Sequence, residues 1–217
     1  SLNYQGSFLY NGNWKKDLLY VRNANPDLRW EKKHEFNVGL DWDIFDGRVG
    51  GTLDYYNRRT KDAIWEYSVA TPPYLYGTIL TNVAEMKNTG FEFLVYATPV
   101  KTHAIEWTTN VSYSTNSNEV VSISNEQFSS GRDYIYTGYV SEPIQTTSHI
   151  VQVGKPIGTF HGLKSIDITD GGLWIVEGKN KETGEWEPMR ADKADQNSWQ
   201  DLGNGIPKHY LNWNNTI

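Results

Sequence analysis

No cysteine occurs in the 217 residues, which excludes a disulfide scaffold and a thiolate zinc site while leaving the compartment open. No stretch of about 18 apolar residues is present, so the chain holds no membrane-spanning helix. A spanning strand is a different matter, because it needs only about 10 residues of alternating character. Positive charge is also scarce. The net charge of −6 argues against a nucleic-acid partner, because phosphate recognition needs a basic face and none stands out in the sequence. Catalytic signatures are missing too: His34, His103, His149, His161 and His209 are scattered, with no HExxH pair and no nucleophile elbow. Gly50-Gly51 and Gly171-Gly172 lack the strand-to-helix setting of a phosphate loop. The expectation is a protein that is not an enzyme and carries no metal or cofactor. There is neither an initiating methionine nor a signal peptide, and the last residues, Asn214-Asn215-Thr216-Ile217, fall within an alternating run. Both ends read as cuts, and the chain is expected to be an internal piece of a larger protein.

What is present is aromatic and glycine-rich: 14 Tyr, 9 Trp, 7 Phe and 19 Gly, a composition that favours an all-β protein with many turns. Residues 1–29 read as loop with at most one strand. A first strand runs roughly from Trp30 to Phe45, and from Glu35 to Ile44 its alternation is strict, with Phe36, Val38, Leu40, Trp42 and Ile44 on one side and Glu35, Asn37, Gly39, Asp41 and Asp43 on the other. Asp46-Gly47 marks a hairpin. A second strand runs from Arg48 to about Trp65, with Val49, Gly51, Leu53 and Tyr55 opposite Thr52, Asp54, Tyr56 and Arg58. A third, Gly90 to Thr98, sets Phe91, Phe93, Val95 and Ala97 against Glu92, Leu94, Tyr96 and Thr98. The fourth alternates Ile105, Trp107, Thr109, Val111 and Tyr113 with polar residues, and the last, from about Lys208, carries Leu211, Trp213 and Ile217. Residues 116–202 form a long loop region with small strands expected at Ile157–Ile168 and Leu173–Glu177. Tight turns at one end and long loops at the other fit an outer-membrane barrel. The same alternation also fits a soluble β-sandwich, whose apolar faces meet a second sheet.

Several stretches carry a family resemblance. Asn25-Pro26-Asp27-Leu28-Arg29-Trp30-Glu31, followed by Asn37-Val38-Gly39-Leu40-Asp41, resembles the "NPDLKWE…NxGLD" signature of SusC/RagA-type TonB-linked outer-membrane proteins of Bacteroidetes. Asp54-Tyr55-Tyr56-Asn57-Arg58-Arg59-Thr60-Lys61-Asp62 is similar to their "DYYxKxTKD" strand. Asn82 to Glu92 resembles "NxGxMxNxGxE", Val153 to Gly162 resembles "VGxPIGxFYGY", and Leu202 to Lys208 matches "LGNGxPK". The motifs keep the family's order over about residues 25–217. One place departs: the acidic Asp-x-Asn-Gly-Asp-Gly run of many relatives is replaced by Arg190-Ala191-Asp192-Lys193-Ala194-Asp195-Gln196-Asn197, so no ion-binding loop is carried over.

The resemblance implies part of the C-terminal half of a 22-stranded transmembrane barrel, an all-β antiparallel architecture with a plug in its lumen. About five spanning strands would lie in residues 1–217, with 116–202 a long extracellular region and the plug and TonB box elsewhere. It implies TonB-dependent import of a glycan or peptide across the outer membrane, with a SusD-like surface lipoprotein, the inner-membrane TonB complex and outer-membrane lipid as partners. On that reading Phe36, Val38, Leu40, Trp42, Trp107 and Trp213 face lipid. Glu35, Asp41, Asp43, Asp54, Arg58 and Glu92 face the lumen, where they line the path or contact the plug; simple wetting of a wide barrel explains them as well. Trp65, Tyr74, Tyr134, Tyr136 and Trp174 are candidates for stacking on ligand, against the alternative that loop aromatics pack on one another. The rival function is a soluble, aromatic-rich carbohydrate-binding or hydrolase β-domain.

Overall fold

The alternating segments become strands, and the computed structural model describes residues 2–20, 22–129 and 131–217. Ser1, Val21 and Ser130, which belong to the 1–29 and 116–202 segments discussed above, lie outside the described residues. The N-terminal segment is a complete hairpin, β1 (Leu2–Tyr10) and β2 (Asn13–Tyr20), where a loop with at most one strand was expected. Its turn, Asn11-Gly12, has φ of 46° and 72°, the double positive φ of the two-residue turn that matches the twist of paired strands.

The main sheet follows: β3 (Lys32–Ile44), β4 (Val49–Ser68), β5 (Thr78–Lys101), β6 (Glu106–Thr115), β7 (Ser117–Ser122) and, at the end of the chain, β15 (His209–Thr216). Between β7 and β15 lie β8 (Tyr134–Val140), β9 (Thr146–Gln152), β10 (Thr159–Gly162), β11 (Lys164–Ile168), β12 (Trp174–Lys179), β13 (Trp186–Arg190) and β14 (Gln200–Asn204). The main sheet has order β15-β6-β5-β4-β3, with β7 paired to the outer part of β5; two small sheets, β14-β10-β9-β8 and β11-β12-β13, fill the excursion.

Register assigns the faces. Phe36, Val38, Leu40 and Ile44 of β3 pair with Asn57, Tyr55, Leu53 and Val49 of β4. Leu53 and Tyr55 pair with Phe93 and Phe91 of β5, Phe93 and Val95 with Tyr113 and Val111 of β6, and these with Leu211 and Trp213 of β15. Paired residues share a face, so one apolar surface crosses five strands without a break. Among the described residues nothing covers it: Phe36 is 61% exposed, Leu40 60%, Leu211 73% and Trp213 68%. A sandwich would bury these side chains against a second sheet. From Phe36 to Ile44 the band runs about 27 Å along the strand, or about 20 Å along the normal at a tilt of roughly 40°, close to the apolar height of an outer-membrane barrel.

The buried core lies elsewhere. Tyr67, Ile79, Val83 and Phe128 form one cluster and Val120, Ile123 and Val151 another, both where β4 and β5 run on beyond β3. That end carries the β4–β5 connection and the excursion; the other carries the tight turns at 45–48 and 102–105.

Candidate functional site

The polar face of the main sheet collects all six lumen candidates. Glu35 accepts from Arg58 Nη2 at 2.8 Å and lies 3.0 Å from Lys33 Nζ. The Arg58 guanidinium sits 5.3 Å from the Tyr56 ring centroid, and its Nε is buried without a partner. Asp43 accepts from the Tyr96 hydroxyl at 2.9 Å, which explains a tyrosine on the wet side of β5. Asp41 pairs with Thr52, and Asp54 stands opposite Glu92. Two carboxylates across adjacent strands repel, so this face suits water or an opposing cationic surface. Gly39 leaves the space Asp54 uses, since a Cβ there would meet its Oδ1. Among the described residues no group of three or more acids and histidines is arranged to hold a metal.

On the apolar side two tryptophans have their polar tips satisfied. Trp107 Nε1 donates to Asn215 Oδ1 at 3.2 Å and Trp213 Nε1 to Thr109 Oγ1 at 3.0 Å. Trp42 lies over Gly51, where a Cβ would meet its ring. An indole with a bonded N–H and an open apolar body suits a bilayer boundary.

The five aromatic ligand candidates do not form one site. Trp65 packs against both buried clusters and Tyr74 against the first, so these two act as packing. Trp174 is 59% exposed on β12, in a different sheet from Tyr134 and Tyr136. Tyr134 and Tyr136 do come together, with ring centroids 5.2 Å apart. Tyr136 also stacks on His161 at 5.7 Å and meets Trp199 edge-on at 5.9 Å. Burial, and then the neighbouring Tyr134 phenol, push the Tyr136 phenol above its ordinary value. His161 Nδ1 is 2.9 Å from Asp201 Oδ1, and Lys155 bonds the other carboxylate oxygen. Sequence reasoning left His161 among scattered histidines, because nothing local ties it to a carboxylate 40 residues away. A cleft of about 340 Å³ opens between β4 and β8, lined by residues 66–68, 134–136 and Arg132.

The motif residues have specific structural uses. Asn25 Nδ2 donates to the Leu80 carbonyl at 2.8 Å, and its Oδ1 accepts from the Asp27 amide. Buried Asn82 donates to the carbonyls of Arg29 and Asp62 and accepts from the Arg29 amide. Arg29 pairs with Asp62, and Glu31 takes the Ile64 amide at a register shift in β4. Downstream, Asn204 donates to the Ile157 carbonyl and accepts from the Ile206 amide, while Asn118 takes the Ile157 amide. At the departing stretch, Arg190 pairs with Asp192, and Asp195 accepts from Asn197 with Lys181 3.3 Å away.

A family model described as TonB dependent receptor-like, beta-barrel, matches residues 3–188. The chain belongs to this family. Among similar TonB-dependent receptors, P26 of Formosa agariphila is 26% identical over 95% of this chain and 21% of its own length. SusC of Bacteroides thetaiotaomicron is 29% identical over 46% of this chain and 10% of its own. The RagAB peptide transporter structure superposes with a TM-score of 0.70 at 21% identity, covering 98% of this chain and 22% of that one. The chain thus spans about a fifth or less of these TonB-dependent receptors, and its open sheet is a segment of the family's barrel wall.

Proposed function

We propose that this chain is part of the wall of an outer-membrane importer that takes up a nutrient, glycan or peptide, at the expense of energy delivered by TonB. The carrying observation is the apolar face, uncovered among the described residues, across β3, β4, β5, β6 and β15, backed by a face that is polar apart from Leu94. Lipid is the solvent that makes such a face favourable, because every backbone group of the sheet is paired within a closed barrel. On this reading Phe36, Val38, Leu40, Trp42, Trp107 and Trp213 meet lipid. Glu35, Asp41, Asp43, Asp54, Arg58 and Glu92 line the lumen and meet the plug. The excursion from 116 to 202 lies outside the cell, under a SusD-like lipoprotein. No bond-making chemistry is assigned to the chain.

The test uses the intact receptor. It should fractionate with outer membranes, require detergent for extraction and migrate anomalously on gels until heated, and its nutrient uptake should stop when TonB is deleted. An intact receptor that is freely soluble, or uptake indifferent to TonB, contradicts the proposal.

A further inference from the structure

At the loop end the apolar face of the main sheet finishes in a row of cations. Past Phe36, Tyr55 and Phe91 the same side of β3, β4 and β5 carries Asn57 and Thr89, and then Lys32, His34, Arg59, Lys61 and Lys87. Register sets these directly against one another: Lys32 pairs with Lys61, His34 with Arg59, and Arg59 with Lys87. Like charges directly opposite destabilise a ladder. Two such pairs, Lys32 with Lys61 and Arg59 with Lys87, stand side by side here. Local acids answer only part of this charge. Glu85 accepts from Arg59 Nε, and Asp62 lies 3.7 Å from Lys32 while also bonding Arg29. Glu119 of β7 follows Lys87 in register, yet among the described residues neither Lys61 nor Lys87 forms an ion pair.

Depth selects the kind of anion that fits. Six residues separate His34 from Leu40 at the centre of the apolar run, about 20 Å along the strand, or about 15 Å along the normal at a tilt of roughly 40°. That lies just past the edge of an apolar band about 25 Å tall, at the level of lipid head groups. The row also sits on a face and not on a free edge. At Arg59 β4 is paired on both sides, and at Lys87 β5 is paired with β4 and β7. Further strands of a barrel join at the edges of this sheet, β3 and β15.

We infer that this row binds the phosphate of an anionic lipid in the leaflet at the loop end, with Arg59, Lys61 and Lys87 as its main contacts. A phosphate between the opposed cations removes their repulsion, and the long lysine stems lie along the apolar face. The inference rests on the lipid-facing wall of the importer reading and adds the head group which that wall selects.

The experiment reconstitutes the intact receptor, with any cysteine elsewhere replaced, carrying a fluorophore on a single cysteine at position 89. That position is on the same face, two residues before Lys87. The vesicles are phosphatidylcholine with a minor share of either phosphatidate or phosphatidylcholine bearing brominated, quenching acyl chains. Brominated phosphatidate should quench at least threefold more than brominated phosphatidylcholine. The ratio should fall to near one when Arg59→Gln, Lys61→Gln and Lys87→Gln are combined, and persist in Lys33→Gln, at the same level on the opposite face. If the triple variant no longer heat-shifts as a barrel, Lys61→Gln with Lys87→Gln replaces it, since these two lysines hold no ion pair in the fold. Equal quenching in the wild type, or a preference that survives the variants, overturns the inference. So does a label at position 89 that neither lipid quenches, because another part of the receptor then covers the row. A second label at position 40 keeps the two readings apart. Quenching there by both lipids alike leaves the lipid-facing wall standing whatever position 89 reports, and no quenching there removes the wall and the inference with it.

Discussion

Replacing Leu40 with arginine separates lipid from water as the solvent of the apolar face. Leu40 is the central residue of the Phe36–Ile44 run, paired with Leu53 and 60% exposed. Four residues lie on either side, about 13 Å along the strand, or about 10 Å along the membrane normal at the tilt typical of such barrels. On the proposed lipid-facing assignment its side chain lies near the bilayer midplane, where an arginine costs about 2–4 kcal/mol, against about 0–1 kcal/mol near an interface. Ile44→Arg, at the turn end of the same face, should therefore cost much less. In water the arithmetic differs: a charge at an exposed position changes stability by about 0.5 kcal/mol or less. The assay is folding of the intact receptor into phospholipid vesicles, followed by urea titration and the heat-dependent gel shift. A Leu40→Arg variant within about 0.5 kcal/mol of wild type, or one no worse than Ile44→Arg, refutes the reasoning.

Asn82→Ala strips the partners from backbone groups of Arg29 and Asp62 and should cost about 1–3 kcal/mol in urea unfolding; a change below about 0.5 kcal/mol counts against its anchoring role. Gly90→Ala brings a Cβ against the Thr115 carbonyl, so the heat-modifiable fraction of the receptor should fall, with a penalty of about 1–3 kcal/mol; unchanged assembly would show that the strands can part there. Burial pushes the Asp201 carboxyl up, but its bonds to Lys155 and His161 outweigh this and hold it below its ordinary 3.8. A depressed folded value stabilises above the unfolded value and is lost as pH falls through the folded one, so wild type should loosen around Trp199 below about pH 3.8, read as tryptophan fluorescence. Asp201→Asn should lack that acid step; an identical profile contradicts the assignment.

Legibility followed the solvent of each strand. β3, β6 and β15 read clearly because over most of their length one face is largely apolar and the other polar. The outer half of β5 was not read. There Ile79 and Val83 pack into the loop-end core while Leu80 and Ala84 alternate with them, so both faces are partly apolar and the period of two blurs. The first hairpin did carry its signal in Asn11-Gly12, but flanking Tyr and Asn residues resembled a loop. Among the site candidates, the six charged residues could be assigned to one face by counting alone. The aromatic residues could not, because their partners come from far along the chain, as when Tyr136 meets His161 and Trp199. The motif asparagines looked like family markers; only the fold shows Asn25, Asn82 and Asn204 serving as substitutes for missing strand partners.

The most direct test of the account is the solvent on each side of β3. These 217 residues hold no cysteine, so once any cysteine elsewhere in the intact receptor is replaced, single cysteines at positions 36 to 44 can carry a spin label in a phospholipid bilayer. The account predicts that labels at Phe36, Val38, Leu40, Trp42 and Ile44 collide with oxygen dissolved in lipid, while those at Asn37, Asp41 and Asp43 respond to a water-soluble relaxer. A pattern without this two-residue alternation, or with the two sets exchanged, would contradict it.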